Sequence, residues 1–283
     1  MIVFDQVKKK YPGFELDADH FELPAGQITG LVGTNGAGKS TMFRLLLGLA
    51  RADGGTIQIF NENAWNLPVS LKKKIGAVFS DSGFAGYLRG SDIPPILKAF
   101  YPSFDEKQFL QLCEQMELPL DKEISKFSTG MQAKFKVICA ISHQPEFLLL
   151  DEPTAGLDVV ARRSIHALLQ DFMSVPGRSV LISSHIASDL ESFCDDFWMI
   201  DDGKIILHET VDDLQNSYGI LHVSDEQEKK LDPAAIVARV KTAGGYDVLV
   251  SDRAYYEENY PGIQSEKGNI DDLILVMKGE NGK

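Results

Sequence analysis

Gly33-Thr-Asn-Gly-Ala-Gly-Lys39-Ser40-Thr41 follows an apolar run, Ile28 to Val32, and opens a helical pattern through Met42, Leu45, Leu46 and Leu49. The apolar run predicts a buried strand and the pattern after it a helix, so the glycines form the turn between them. Glycines at 33, 36 and 38 permit a loop tight enough for several backbone N–H groups to converge on one anion. The helix that follows adds the positive end of its dipole. The stretch therefore reads as a phosphate-binding P-loop.

Each fixed position has its own chemistry. Lys39 brings an ammonium to β- and γ-phosphate oxygens, and the Ser40 hydroxyl suits the Mg²⁺ that bridges them. Gly33, Asn35, Gly36, Ala37, Gly38, Lys39, Ser40 and Thr41 are the candidate ATP-binding residues of this loop.

With 283 residues, the chain is long enough for a sizeable core and predicts one large domain with a smaller appendage. Apolar content of 44% and charged content of 24% are ordinary for a globular protein. The net charge of -13 argues against a chain whose main task is gripping nucleic acid, which needs a basic face to release counterions. Cys113, Cys139 and Cys194 are odd in number, widely spaced and set in apolar patterns, which reads as buried reduced thiols. No apolar stretch approaches the roughly 18 residues a bilayer requires, and the N-terminus lacks the pattern of a signal peptide.

Before the P-loop, Ile2-Val-Phe4 and Phe14-Glu-Leu16 alternate apolar and polar positions, a sheet-rich entry. Tyr11 is expected on the loop between these first two strands, where its flat face can stack on a purine base. Short strands are expected over Gly54 to Phe60 and Ile75 to Phe79. From about Ser82 to Ser142 the periodicity turns helical, with stripes through Phe109, Leu112, Cys113 and Met116 and through Lys134, Phe135, Val137, Ile138 and Ile141. A helical insertion thus splits an α/β core.

Phe147-Leu-Leu-Leu150 is uninterrupted and apolar, as suits a parallel strand buried on both faces, and it ends in Asp151-Glu152-Pro153. A helix from about Val159 to Met173 and a strand from Ser179 to Ser183 follow, then His185. This alternation implies a doubly wound sheet, whose ligands sit at the carboxyl ends of its strands. The P-loop, Asp151 and His185 all fall at such ends. Asp151 can reach Mg²⁺ through a water, Glu152 is the candidate for polarising an attacking water, and His185 can donate to a γ-phosphate. Beyond about Asn216, a small tail is expected: a strand Gly219 to Val223, a helix Ala234 to Lys241, a strand Asp247 to Val250, and a last helix capped by Asn269 with Asp272 at its third position.

Phe127-Ser-Thr-Gly-Met131, its Ser128 twenty-three residues ahead of Asp151, resembles the signature Leu-Ser-Gly-Gly-Gln of ABC transporter ATP-binding subunits. Together with GTNGAGKST, FLLLDEPTAGLD and LISSH in the same order, it makes residues 1–215 resemble that family, in the bacterial exporter group often called ABC-2. The pattern of 216–283 gives a small α/β extension, and the resemblance implies a P-loop NTPase core with an N-terminal antiparallel β subdomain and a helical signature subdomain at about 82–142. It also implies head-to-tail pairing of two cassettes, identical or paralogous. Ser128 and the Gly130 N–H would then cap the γ-phosphate across the interface, with Asp158 at the same contact. By resemblance, a separate transmembrane permease is the other partner, and the chain is cytoplasmic, peripheral on the inner face of the cell membrane.

Thr129 and Met131 depart from the usual signature, and Ser80 stands where the family usually has a glutamine that touches Mg²⁺. Either Asp81 or a water on Ser80 substitutes, or the coupling is altered. Phe84, Tyr87 and Leu88 follow this loop, where the family receives a short helix of the membrane subunit; packing inside the helical subdomain is the other reading. The expected function is an ATPase that powers transport. A soluble ABC ATPase of assembly, repair or translation is the runner-up, against which the absence of a basic patch or a second cassette counts. Glu152 and His185 speak against a low-turnover regulatory scaffold.

Overall fold

The computed structural model describes residues 1–281, the side chains of residues 187–188 and 277–281 excepted. The chain divides into two units, Met1–His185 with Trp198–Leu207, and Ile186–Phe197 with His208–Lys283. The second unit therefore takes in segments on the N-terminal side of residue 215.

The chain opens with β1 (Ile2–Tyr11) and β2 (Phe14–Leu23), an antiparallel pair running from Ile2↔Leu23 to Tyr11↔Phe14. Tyr11 is thus the last residue of β1 and not a loop residue: the turn is so tight that the ladder continues to its two ends. Next come β3 (Ile28–Val32), α1 (Lys39–Leu46), β4 (Gly54–Ile59), the two-residue β5 (Glu62–Asn63), α2 (Val69–Lys72) and β6 (Ile75–Val78). The helical segment holds α3 (Ile93–Phe100), α4 (Glu106–Gln115) and α5 (Thr129–Ile141). The core resumes with β7 (Phe147–Asp151), α6 (Val159–Met173) and β8 (Ser179–Ser184). Then follow α7 (Ala187–Phe193), β9 (Asp196–Asp201), β10 (Lys204–Thr210) and α8 (Val211–Ser217).

Ten strands form one sheet in the order β5-β4-β1-β2-β10-β9-β3-β8-β7-β6. Its β3, β8, β7 and β6 are parallel, and every residue of β3, β7 and β8 is buried, as the apolar run of β7 predicts for a strand covered on both faces. At the other side, β1, β2 and β4 pair antiparallel, so the P-loop core carries the antiparallel β subdomain expected of it. Phe4, Phe21 and Trp198 pack together between these strands, the Phe4 and Phe21 rings edge-on at 5.5 Å.

In the second unit, β11 (Gly219–Val223), α9 (Asp225–Glu228), β12 (Ile236–Thr242), β13 (Gly245–Val250), α10 (Arg253–Asn259), β14 (Gln264–Lys267) and α11 (Ile270–Asn281) complete the chain. Its strands form an antiparallel sheet in the order β12-β13-β11-β14. The helix expected over Ala234 to Lys241 is instead a short 3-10 turn followed by β12. Pro233 opens the turn, its carbonyl accepting from the Ile236 N–H, and from Ile236 onward the chain, with β-branched Ile236 and Val240, pairs with β13. Asn269 caps α11 as expected, its Oδ1 accepting from the Asp272 N–H at 2.9 Å. Cys113, Cys139 and Cys194 are buried and free, and burial pushes the Cys113 thiol up to about 12. Among the described residues, no helix is long and apolar enough to cross a membrane.

Candidate functional site

The P-loop is folded by the contacts its glycines allow. A side chain at Gly33 would meet the Ile200 carbonyl at 2.3 Å, so the loop must lie flush on β9. Gly38 holds φ 118°, a conformation that other residues rarely adopt, and it is the residue from which α1 starts. Thr34, Asn35, Gly36, Gly38, Lys39, Ser40 and Thr41 line a cavity of about 330 Å³ with Phe14, Ser80, Asp151 and Glu152. Gly33 and Ala37 shape the loop from behind, Ala37 being buried.

Parallel register delivers the remaining groups. Val32 pairs with Ser184 and Asp151 with Ser183, so the ends of β3, β8 and β7 stand side by side. Ser40 donates to Asp151 Oδ2 at 2.9 Å, and Ser183 donates to Asp151 Oδ1 at 2.7 Å. Lys39, only 6% exposed, donates to the Gly33 carbonyl at 2.6 Å and stands 3.3 Å from Glu152 Oε1. Glu152 Oε1 is buried without a hydrogen bond, the lysine lying at ion-pair distance but off hydrogen-bond geometry. Glu152 Oε2 is 2.5 Å from His185 Nδ1. Three chain segments thus meet in the row Lys39, Glu152, His185.

Two details bear on the chemistry. Glu152 holds φ 52°, a left-handed backbone that costs a non-glycine residue about 1–3 kcal/mol and that the neighbouring strands hold in place. The carboxylate on His185 Nδ1 makes that nitrogen the N–H donor, so Nε2 donates only when the ring is protonated or turns away from Glu152.

Tyr11 lines a neighbouring hollow with Lys10, Gly13, Phe14, Glu15, Asp17, Asp202 and Lys204, and Lys9 lies over its ring at 5.5 Å. Phe14 lines both this hollow and the phosphate cavity, a role its place in an alternating strand pattern concealed. Ser128 and Gly130 lie elsewhere in the unit. Ser128 caps α5, accepting from the Met131 N–H at 3.2 Å, and a side chain on Gly130 would touch Ala161 of α6 at 3.0 Å. Asp158 caps that same α6, accepting from the Ala161 N–H at 2.8 Å. The signature residues and Asp158 are therefore neighbours, apart from the phosphate cavity of their own chain. Ser80 reaches the cavity and Asp81 is not among its lining residues. Phe84 is half-buried against Phe135, while Tyr87 is 77% exposed. Sequence reasoning also passed over Ser183, whose hydroxyl the register alone brings to Asp151.

A glycine loop between strand and helix, with lysine, serine and two acidic residues at the carboxyl ends of parallel strands, defines a P-loop nucleoside triphosphatase. The sequence profile of the ABC transporter family matches residues 16–155. The ABC transporter ATP-binding protein YtrB of Bacillus subtilis is 30% identical over 219 residues, covering 77% of this chain and 75% of that protein. The lantibiotic transport ATP-binding protein SrtF of Streptococcus pyogenes is 31% identical over 219 residues, 76% of this chain and 93% of that one. A dimeric ATP-binding cassette in a post-hydrolysis state with ADP and phosphate has the same fold, with a TM-score of 0.65 at 21% identity, over 75% of this chain and 99% of that one. The chain belongs to the ABC transporter ATP-binding proteins, and it is an ATPase of that family.

Proposed function

We propose that this chain binds ATP with Mg²⁺ in the 33–41 cavity, hydrolyses it within a head-to-tail pair of cassettes, and so drives export through a separate membrane subunit. The observation that carries the reading is the row Lys39, Glu152, His185 brought together from three segments, its first two members lining the phosphate cavity and His185 bonded to Glu152. The Streptococcus pyogenes relative, named for lantibiotic transport, supports transport as the work that hydrolysis drives.

Lys39 neutralises phosphate charge, exchanging its bonds to the loop carbonyl for phosphate oxygens. Ser40 and Asp151 fit Mg²⁺: a hydroxyl and a carboxylate oxygen, hard donors 2.9 Å apart, both lining the cavity. When bound, the ion spreads the charge that develops on the phosphates. Glu152 Oε1, buried and without a hydrogen bond, accepts the hydrogen of the attacking water. His185 orients the carboxylate and donates to the γ-phosphate once its Glu152 bond is released. The adenine ring stacks on Tyr11, beside Phe14. Among the described residues no arginine lines the cavity, and Ser128 and Gly130 are not among its lining residues, which supports their acting on the partner cassette's nucleotide. Asp158, beside them at the start of α6, belongs to the same contact.

The test is ATP turnover of the purified chain against its concentration, with Glu152→Gln alongside and association followed by light scattering. A rate rising more steeply than concentration, lost in Glu152→Gln while an ATP-dependent dimer accumulates, is the expected result. Full turnover in Glu152→Gln would remove the role given to Glu152; a rate strictly proportional to concentration, with no dimer, would remove the shared site.

A further inference from the structure

Beyond the end of β6 the chain closes on itself. Phe79 N–H donates to Ser82 Oγ at 2.9 Å, that hydroxyl donates back to the Phe79 carbonyl at 2.9 Å, and Ser82 N–H reaches the same carbonyl at 3.2 Å. The side chain that ties this turn to the helical segment is Lys136, from the middle of α5. Its ammonium donates to the Ser80 carbonyl at 3.1 Å and lies 3.4 Å from the Phe79 carbonyl. Its stem runs along the turn, its Cε 3.4 Å from where a Cβ on Gly83 would stand. One residue earlier in α5, Phe135 meets Phe84 edge-on at 6.3 Å.

Ser80 lines the phosphate cavity, and its side chain is short, so where its backbone is held decides what its hydroxyl meets. The helix that holds it is the one Ser128 caps. Lys136 lies seven residues beyond Thr129, two turns along the same face, about 10 Å of rise from the signature end. An ammonium on two carbonyls is a charge-assisted clamp with a third donor to spare.

We propose that Lys136 is a positioning residue for ATP hydrolysis: it fixes Ser80 at the rim of the phosphate cavity and joins that rim to α5, so that the cavity and the signature end of the helix move together. The proposal rests on the reading of the 33–41 cavity as the ATP site. Burial lowers the Lys136 amine from its ordinary range, and the neighbouring Asp81 charge opposes that shift.

The experiment uses the full chain at saturating ATP and Mg²⁺, measuring kcat, KM and the dissociation constant of a fluorescent ATP analogue. Lys136→Met keeps the apolar stem and removes the donors. We expect kcat to fall about tenfold with the dissociation constant changed by less than about twofold, and Lys136→Arg to recover most of the loss. The second arm repeats Lys136→Met on a Ser80→Ala background, where the further loss should be under about twofold because the two act as one unit. Thermal unfolding of each variant accompanies the kinetics, and Lys136→Gln replaces Lys136→Met if that variant unfolds. Wild-type kcat in the lysine variant would overturn the proposal, as would losses that simply multiply in the double variant. Nucleotide binding without turnover in the wild-type chain would overturn the hydrolytic reading itself, and the proposal with it.

Discussion

Ser183 Oγ donates to Asp151 Oδ1 at 2.7 Å and accepts the N–H of Glu152 at 3.0 Å, so one hydroxyl holds both acidic residues of the site. Ser183 is fully buried. The bond fixes which carboxylate oxygen of Asp151 is left for Ser40, and it pins the left-handed backbone of Glu152. Ser183→Ala should therefore cost about 1–3 kcal/mol of stability by orphaning a buried carboxylate oxygen and an N–H. It should also lower kcat by more than that loss of folded protein explains. Urea unfolding beside steady-state turnover at a temperature where both proteins are fully folded checks it; equal kcat would show the clamp to be structural only.

The 2.5 Å contact between His185 Nδ1 and Glu152 Oε2 makes these two residues one acid–base unit. Removing either should remove much of what the other contributes. We expect Glu152→Gln alone to reduce kcat by about a hundredfold or more, and His185→Ala to reduce it by about tenfold or more. The double variant should be no slower than Glu152→Gln within about twofold. Losses that multiply would place His185 on the phosphate independently of Glu152. A four-protein turnover cycle decides between these outcomes.

Much of this site is legible in the sequence because its chemistry is local. The P-loop needs glycine, lysine and serine at fixed spacing within one turn, and β7 announces itself by an unbroken apolar run that ends in two carboxylates. The residues that escaped notice are those whose partners lie far off in the chain. Ser183 sits thirty-two positions from Asp151, and only the parallel register Asp151↔Ser183 brings them together. Lys136 is fifty-six positions from Ser80, and a lysine on a mixed helix face gives no sign of gripping carbonyls. Phe14 reads as core because it alternates with Leu16, yet the strand end leaves its edge in two cavities. In the second unit, β12 was hidden in part for the same reason: its β-branched residues suit a strand, and pairing with β13 is what makes Ile236 to Thr242 one.

Tyr11 and Phe14 bound the hollow next to the phosphate cavity, Tyr11 with 40% of its surface exposed. Stacking of a base on an aromatic ring contributes about 1–3 kcal/mol. Tyr11→Ala should therefore weaken ATP binding by about fivefold or more, with Tyr11→Phe close to wild type. Inorganic tripolyphosphate, which has no base to stack, should bind both variants as it binds the wild type. Calorimetric titration of the two ligands is the measurement. An equal loss for tripolyphosphate would mean that Tyr11 supports the loop rather than the base.

His143 ties the stability of the first unit to pH. It is 2% exposed, its Nε2 lies 3.3 Å from the Ile75 carbonyl, and its ring stacks on Tyr101 at 4.0 Å. Burial lowers its pKa from the usual 6.5, against the opposing pull of the Ile75 and Cys139 backbone groups. Below 6.5 the unfolded chain takes up a proton that the folded chain refuses, so the unfolded state binds more protons and stability rises with pH across that window. The contribution is complete above 6.5 and is lost as pH falls toward the folded value. It cannot exceed about 1.4 kcal/mol per pH unit. Urea midpoints between about pH 5 and 8 should fall on the acid side in the wild type. His143→Gln removes the titrating ring, so the difference between variant and wild type should shrink as pH falls from 7 to 5, whatever slope the carboxylates add to both. A difference that stays constant with pH would show that His143 is held by packing alone and titrates alike in both states.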